Sequence, residues 1–361
     1  MVMHKSFRPI ILATIFSILA ITAIIITFLI ILTVLEYRPK EIESVDIMGK
    51  ASSEVQVQKP IKIFSWNIGY ADLGDYADFF MDGGAHVQNS SREQIEQNIE
   101  AFISEVKKQD ADIVLLQEVD LASSRSYKIN QVSLISNSAE GFCASFAYNF
   151  KSAFVPYPIP PIGKVESGLF TLSTFASRSA ARFSLPVPFK WPVKTANLKR
   201  CLLVNRLPLK NSNKQLIIVN LHLEAFDSGA GRIEQTQKLK DFVLSEYKKG
   251  NYVIAGGDFN QTFSNTDISF YYQRPYGWKP GLLSIEDFPS DWNFLQDSTV
   301  PTCRSNRTVY KGRDKSTFQF FCIDGFITSP NISVSSIKTL DLNFVNSDHN
   351  PVVLTCTLSK E

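Results

Sequence analysis

YVIAGGDFNQT, Tyr252 to Thr262, is the stretch on which the reading of this chain turns. YVIA has the apolar, largely β-favouring character of a short core strand. Asp258 and Asn260 follow at a spacing of two, and side chains two apart on an extended chain project to the same side. An acid and an amide just past a core strand fall at its carboxyl end, where open α/β sheets gather their functional groups in a crevice.

Working outward, QLIIVNLHL (Gln215 to Leu223) repeats the arrangement, with Asn220 and His222 two apart. A lone strand histidine is more often structural than catalytic; two polar pairs of this kind shift that balance. IKIFSW (61–66) is closed by Asn67 and IVLLQ (113–117) by Glu118. A carboxylate ending an apolar strand must meet solvent, a cation or a proton donor, because an unpaired buried charge is very costly. Oxygen ligands of this sort suit a hard ion such as Mg²⁺, with Mn²⁺ as a substitute. Two further strands are expected at IDGFIT (323–328) and PVVLTCT (351–357), and NSDHNPV places Asp348 and His349 just before the second. Asp324 sits inside an apolar run and needs a partner; His349 is the expected one, since a carboxylate that receives an imidazole N–H fixes the ring's tautomer.

Helices are expected over 91–109, with Ile95, Ile99, Phe102, Ile103 and Val106 on one face, and over 231–249, with Ile233, Leu239, Phe242, Val243 and Tyr247. Steps of three and four residues mark amphipathic helices packed on sheets. Strands with helices outside them, in mixed order, point to a layered α/β sandwich.

The order WN (66–67), QE (117–118), NLH (220–222), GDFN (257–260), ID (323–324) and SDH (347–349) resembles the endonuclease/exonuclease/phosphatase superfamily, which includes deoxyribonuclease-like nucleases, neutral sphingomyelinases and inositol polyphosphate 5-phosphatases. The resemblance covers roughly residues 60 to 358. It implies a four-layer αββα sandwich, with Asn67, Glu118 and Asp348 near a metal. Asp258 and Asn260 would lie at the water and phosphate, with Asn220, His222, Asp324 and His349 completing the catalytic set. His222 is similar to the histidine of the nuclease and sphingomyelinase branches and favours a phosphodiesterase. The implied reaction is in-line attack of water on a phosphodiester, with His349 the preferred general base and His222 an acid or oxyanion donor.

Pro9 to Leu35 carries no charged side chain. As a helix it would be ~40 Å long, enough to cross a hydrocarbon core of ~30 Å. A cleavable signal peptide is the competing reading, but such apolar regions span ~7–15 residues and end at a small-x-small site, and this run exits through Val34-Leu35-Glu36-Tyr37. Residues 1–8 form a basic head with Lys5 and Arg8, which favours a cytoplasmic N-terminus and an exported domain. Residues 36–59 are polar and read as a linker, leaving 60–358 as the catalytic domain.

With 37 Lys and Arg against 35 Asp and Glu, the charge of +2 excludes a global polycationic field. Substrate class stays open between a lipid head group and nucleic acid, and an inactive binding module on the same fold is the alternative. No obligate protein partner is implied. Tyr148 to Lys164, rich in proline and aromatics, reads as a loop over the site or on the surface. Arg125, Tyr127, Lys128, Lys199 and Arg200 are phosphate-binding candidates or solvated surface charges. The five cysteines form no CxxC pair; Cys303 and Cys322 flank a possible hairpin and would be either bridged, as export would allow, or two buried thiols.

Overall fold

The computed structural model describes residues 8–360. Of the basic head, Lys5 and the side chain of Arg8 lie outside the described residues. Two seven-stranded sheets face each other. Across the first run Ile42–Val45, Ser179–Ser184, Cys201–Pro208, Gln215–His222, Tyr252–Asp258, Asp324–Thr328 and Asn293–Leu295. Across the second run Ile332–Thr339, Val352–Leu358, Pro60–Asn67, Ile113–Asp120, Gly163–Ser173, Cys143–Val155 and Ile47–Gly49.

Alternation along the central strands sends one set of side chains between the sheets and the other set outward. Ile63, Leu115, Ile218, Ile254 and Phe326 fill the space between the sheets. On the outer face of the second sheet, Phe64, Trp66 and Leu116 meet Ile95, Ile99 and Phe102 of the helix Arg92–Gln109. On the outer face of the first, Val219 and Val253 meet Leu239 and Val243 of the helix Ala230–Lys248. Each such side chain contributes about 1.5–3 kcal/mol on full burial. The result is the expected four-layer αββα sandwich. Ile233 departs from the expected buried face and is 71% exposed.

The helix Arg92–Gln109 starts where Ser91 accepts a hydrogen bond from Gln94 N, with Glu93 in its first turn and Lys107 and Lys108 in its last, each sign matching the helix dipole. It stops at Asp110, in the left-handed region with φ 48°.

Three stretches differ from their sequence readings. Residues 36–59 are not a free linker: Ile42–Val45 pairs with Ser179–Ser184, Ile47–Gly49 pairs with Cys143 to Ser145, and Val55 is fully buried. Edge strands this short, with one face wet, carry too little apolar periodicity to stand out. Within Tyr148 to Lys164, only residues 156–162 lie between strands, because Cys143–Val155 and Gly163–Ser173 form one long hairpin. Register shifts at Tyr148/Phe150 and Ser152/Val155 break the alternation that would have marked the strand. The Thr302 to Phe321 segment is closed only by Cys303–Arg304 pairing with Phe320–Phe321. All five cysteines are free and buried, Cys303 and Cys322 included, which removes the support for export that a bridge would have given.

Arg8–Val34 is one continuous helix, and Pro9–Val34 is long and apolar enough to cross a membrane. It meets the sandwich only near its end. Phe28 packs edge-on against Phe154 at 6.3 Å, Thr33 Oγ1 accepts from Trp191 Nε1 at 3.0 Å, and Lys199 pairs with Glu36 at 3.0 Å.

A half-buried ion pair fastens the outer helix to the first sheet. Arg206 donates two hydrogen bonds to Glu246, at 2.9 and 2.8 Å, and Asn251 and Lys249 donate two more. Burial alone would raise the Glu246 carboxyl, but these contacts outweigh it and hold it down at about 2. A lowered carboxyl stabilises the fold fully above its unfolded value, 4.5, and loses that contribution as pH falls from there towards 2. Glu246→Gln is therefore expected to be less stable than the parent at neutral pH, with the gap narrowing in denaturant titrations between pH 4.5 and 2. A gap that does not change with pH would contradict this.

Candidate active site

Pairing register assembles the site. Gln215–His222 and Tyr252–Asp258 run parallel, which sets Asp258 beside His222; Asp258 also pairs with Asp324 on its other, antiparallel neighbour. Three of the sequence-predicted residues thus occupy adjacent strands at one edge of the first sheet. Asn67 ends its strand at the same edge of the second sheet, and Asp348 and His349 precede the adjoining strand Val352–Leu358.

Asn67 joins the two sheets. Its Nδ2 donates to Glu118 Oε1 at 3.2 Å and to Asp258 Oδ2 at 3.0 Å, while its Oδ1 accepts from Gly69 N. Gly69 has φ 50°, and a Cβ there would stand 2.9 Å from Asp348 Oδ1, so only glycine lets this turn close on that acid. Glu118 does not end its strand as the sequence suggested. The strand runs on to Asp120, and Glu118, with φ 55°, sits in a bulge where the register with Gly163–Ser173 shifts between Leu116 and Val119. The bulge aims the carboxylate into the site: its side chain is 25% exposed, against 2% for Asp258. Burial raises the Glu118 carboxyl, only partly opposed by the Arg125 charge and the Asn67 bond.

The expected pairing of Asp324 with His349 is present, with Asp324 Oδ2 2.8 Å from His349 Nδ1. His349 is further held by Trp66 Nε1 donating to its carbonyl at 2.8 Å. Its Nε2 therefore faces Asp258 Oδ2, 3.8 Å away. Burial would lower this imidazole, but the charge and hydrogen bond of Asp324, joined by the nearby Cys303 and Asp348, together outweigh it and hold it well above the ordinary range. His222 goes the other way: burial, reinforced by the Arg200 charge, pushes it well below. Its Nε2 lies 3.4 Å from Asp258 Oδ2, and its buried Nδ1 has no hydrogen-bond partner among the described residues. Two imidazoles beside one carboxylate are thus driven to opposite protonation states. Asp258 itself is raised to about 7, by burial first and then by the Asp324 charge. It accepts from Asn260 N at 2.8 Å, and Asn260, at φ 52°, donates its Nδ2 to Leu223 O.

Four carboxylates converge with two imidazoles: Glu118, Asp258 and Asp324 each lie within 4.0 Å of a ring nitrogen, and Asp348 clusters with His349. Ligand atoms of Asp258, Asp324 and His349 lie within 4.8 Å of one another, as do those of Cys303, Asp348 and His349. This excess of oxygen donors, one of them opening to the cavity, fits a hard divalent cation.

Asn220 is not at the reacting edge. Its Oδ1 accepts from Gln117 Nε2 at 2.8 Å and its Nδ2 donates to Leu116 O and Phe170 O at 3.1 Å, so its amide is used up tying the sheets together. Asn220→Ala leaves those buried groups unpaired and is expected to cost about 1–3 kcal/mol in chemical denaturation. Unchanged stability with a fall in turnover would instead place Asn220 against substrate.

The basic candidates also need correction. Arg125 is buried, donates to Asp120 at 3.0 and 3.2 Å and covers the Tyr70 ring at 3.7 Å. Arg200 is buried against Glu224 at 3.2 Å, and Lys199 against Glu36. None is a solvated surface charge; Tyr127 and Lys128 are exposed. The acids that pair with the arginines, Asp120 five residues from Arg125 and Glu224 24 residues from Arg200, are unremarkable in the sequence, so burial was not legible. Asn306, which donates to Asp348 Oδ2 at 2.5 Å, and Ser347, which donates to Asn67 O at 2.7 Å, were also missed. Asn306 lies in a loop without periodicity and offered no signal.

A two-sheet sandwich with an acid- and imidazole-rich centre at one edge is the frame of a hydrolase that works on phosphate esters. The sequence profile of the endonuclease/exonuclease/phosphatase family matches residues 64–349. The chain belongs to that family, whose members are hydrolases acting on phosphoester bonds. Among solved structures, the chain is similar to an endonuclease/exonuclease/phosphatase from Beutenbergia cavernae DSM 12333, at 15% identity, 84% coverage of this chain, 72% of that one and a TM-score of 0.54. It is also similar to an endonuclease/exonuclease/phosphatase family protein from Bacteroides thetaiotaomicron, at 18% identity, 84% and 99% coverage and a TM-score of 0.53. The human Nocturnin catalytic domain with bound sulfate aligns at 18% identity, 87% and 97% coverage and a TM-score of 0.50. At these identities the likeness is one of fold. No curated protein sequence matches the chain.

Proposed function

We propose that the chain is a membrane-anchored, divalent-metal-dependent phosphodiesterase. The observation that carries the reading is the convergence of Glu118, His222, Asp258, Asn260, Asp348 and His349 from both sheets on one cavity, with Asn67 bonded to Glu118 and Asp258 behind them. Glu118, with Asn67 and Asp348, would hold Mg²⁺ or Mn²⁺; a bound ion of this kind polarises the phosphoryl oxygen and offsets the charge that develops there. Asp258, raised to about 7, accepts the proton of the attacking water, and Asn260 holds that water against it. His349, kept charged by Asp324, donates from Nε2 to a non-bridging phosphoryl oxygen. This reverses the sequence preference for His349 as base, because a ring already protonated cannot take the proton. His222 is neutral and completes the wall facing the phosphate.

Pro9–Val34 is read as the anchor, and the basic residues before it favour an exported domain. The catalytic unit is drawn from Ile42 to Leu358, since the strands before residue 60 pair with both sheets.

In ¹⁸O-labelled water with Mg²⁺, the full chain is expected to release 4-nitrophenol from bis(4-nitrophenyl) phosphate and to put the label into the phosphate monoester. Label in the phenol, or no release, would overturn the reading.

A further inference from the structure

The catalytic residues form only the floor of a larger cavity of about 550 Å³. Its wall is apolar, and part of that wall is the N-terminal helix itself: Phe28, Leu29 and Leu32 line it together with Phe80, Tyr157 and Val193. Leu32 is 6% exposed, whereas most of the helix is bare. Phe28 lies about 9 Å along the axis before Val34, so the part of the cavity that it lines is at a depth where this apolar helix would still be within lipid. The rim agrees. Of the lining residues Tyr157 is 64% exposed and Val193 57%; next to them in the chain Ile159 is 94% and Trp191 55% exposed, and Trp191 is bonded to Thr33 at the end of the helix. Exposed aromatic and aliphatic side chains at the last turn of a span suit the boundary between acyl chains and head groups.

The charges of the cavity do not suit a polyanionic strand. The arginines that line it are Arg125, Arg200 and Arg304, and each is buried and spent on internal bonds: to Asp120, to Glu224, and to the carbonyls of Leu73 and Gly74. A nucleic-acid groove needs basic side chains free to meet successive phosphates. An amphiphile needs what this cavity has: one polar floor for a single phosphodiester and a long apolar wall.

We propose that the substrate is a membrane phospholipid that enters sideways from the bilayer, its chains lying along the wall shared by the helix and the loops and its phosphodiester on the floor. The helix is then part of the substrate site and more than a tether. This rests on the chain being a phosphodiesterase anchored by that helix. The reaction is hydrolysis: the water oxygen bonds to phosphorus, the P–O bond to one alcohol breaks with its electron pair staying on that oxygen, and the proton released from water ends there, giving an alcohol and a phosphate monoester.

The test uses the full chain reconstituted with Mg²⁺ in vesicles of phosphatidylcholine, in phosphatidylcholine vesicles containing sphingomyelin, and with single-stranded DNA, each beside bis(4-nitrophenyl) phosphate. Cleavage of a lipid is expected, and the two vesicle arms separate a glycerol from a sphingoid backbone. Leu29→Trp fills the wall and Ile159→Asp charges the rim; each is expected to lower the ratio of lipid to soluble-diester turnover by about tenfold or more, the scale of lost pocket contacts. Soluble-diester turnover with no lipid cleaved overturns this proposal and leaves the phosphodiesterase reading standing. Faster cleavage of DNA than of lipid, or ratios unchanged in both variants, also overturns it. No turnover of the soluble diester sinks both.

Discussion

Asp258→Ala is expected to remain folded, with an unchanged or raised melting temperature, and to lose about 10⁴-fold in kcat on bis(4-nitrophenyl) phosphate, the upper end for a removed general base. The two halves of this result have one cause. Asp258 is 1% exposed, stands opposite Asp324 in the sheet register and is raised to about 7 by burial and by that neighbouring charge. A carboxylate held so near a second acid destabilises the fold that contains it, so its removal relieves repulsion. Of the partners left behind, Asn260 lines the cavity, and Asn67 Nδ2 keeps its bond to Glu118. Loss of activity with full stability separates a proton acceptor from a structural acid. Parent-like turnover in the purified variant would remove Asp258 from the mechanism.

Asp324→Asn is the second large effect. The side chain stays 2.8 Å from His349 Nδ1 in shape but no longer carries the charge that is the largest single cause opposing burial of the ring. His349 is raised in the parent, so it is charged below its folded value and loses its proton only as pH climbs through that value. Without the Asp324 charge, burial pulls the ring down and deprotonation comes at lower pH. The alkaline limb of the rate profile should move to lower pH, and kcat at neutral pH should fall about 10³-fold. A fall in kcat with an unmoved alkaline limb would mean that Asp324 only orients the ring. The same substitution also removes the second largest cause of the Asp258 shift, so the acidic limb should move down as well.

Much of this centre was legible because the candidate groups close strands whose apolar runs are unmistakable. Asp258 follows YVIA, His222 follows QLIIV, and each strand's parallel partner then fixes what stands beside it. The Asp324–His349 pair followed from one physical demand, that an acid inside an apolar strand find a donor. Other parts obeyed rules that act only in three dimensions. Glu118 points inward because a bulge gives it a positive φ, which no periodicity announces. Asn220 shares a face with His222 as expected, yet one turn of the pleat further back that face meets the other sheet and not the cavity. Arg125 and Arg200 looked like surface charges because their acids, Asp120 and Glu224, are recognisable as partners only once the bulge and the sheet edge have formed. The strands at 42–49 were hidden by the same economy: an edge strand needs one apolar face at most, and three or four residues give no period to count.

In the proposed mechanism a cation links the acid cluster to the reaction, so its removal is the most direct measurement. The full chain, in detergent, is assayed on bis(4-nitrophenyl) phosphate with Mg²⁺, with EDTA, and with Mg²⁺ restored after EDTA. Turnover that is lost with the chelator and returns with Mg²⁺ or Mn²⁺, but does not return in Glu118→Ala, is the predicted result. Equal turnover in EDTA, or full restoration in Glu118→Ala, would contradict the account.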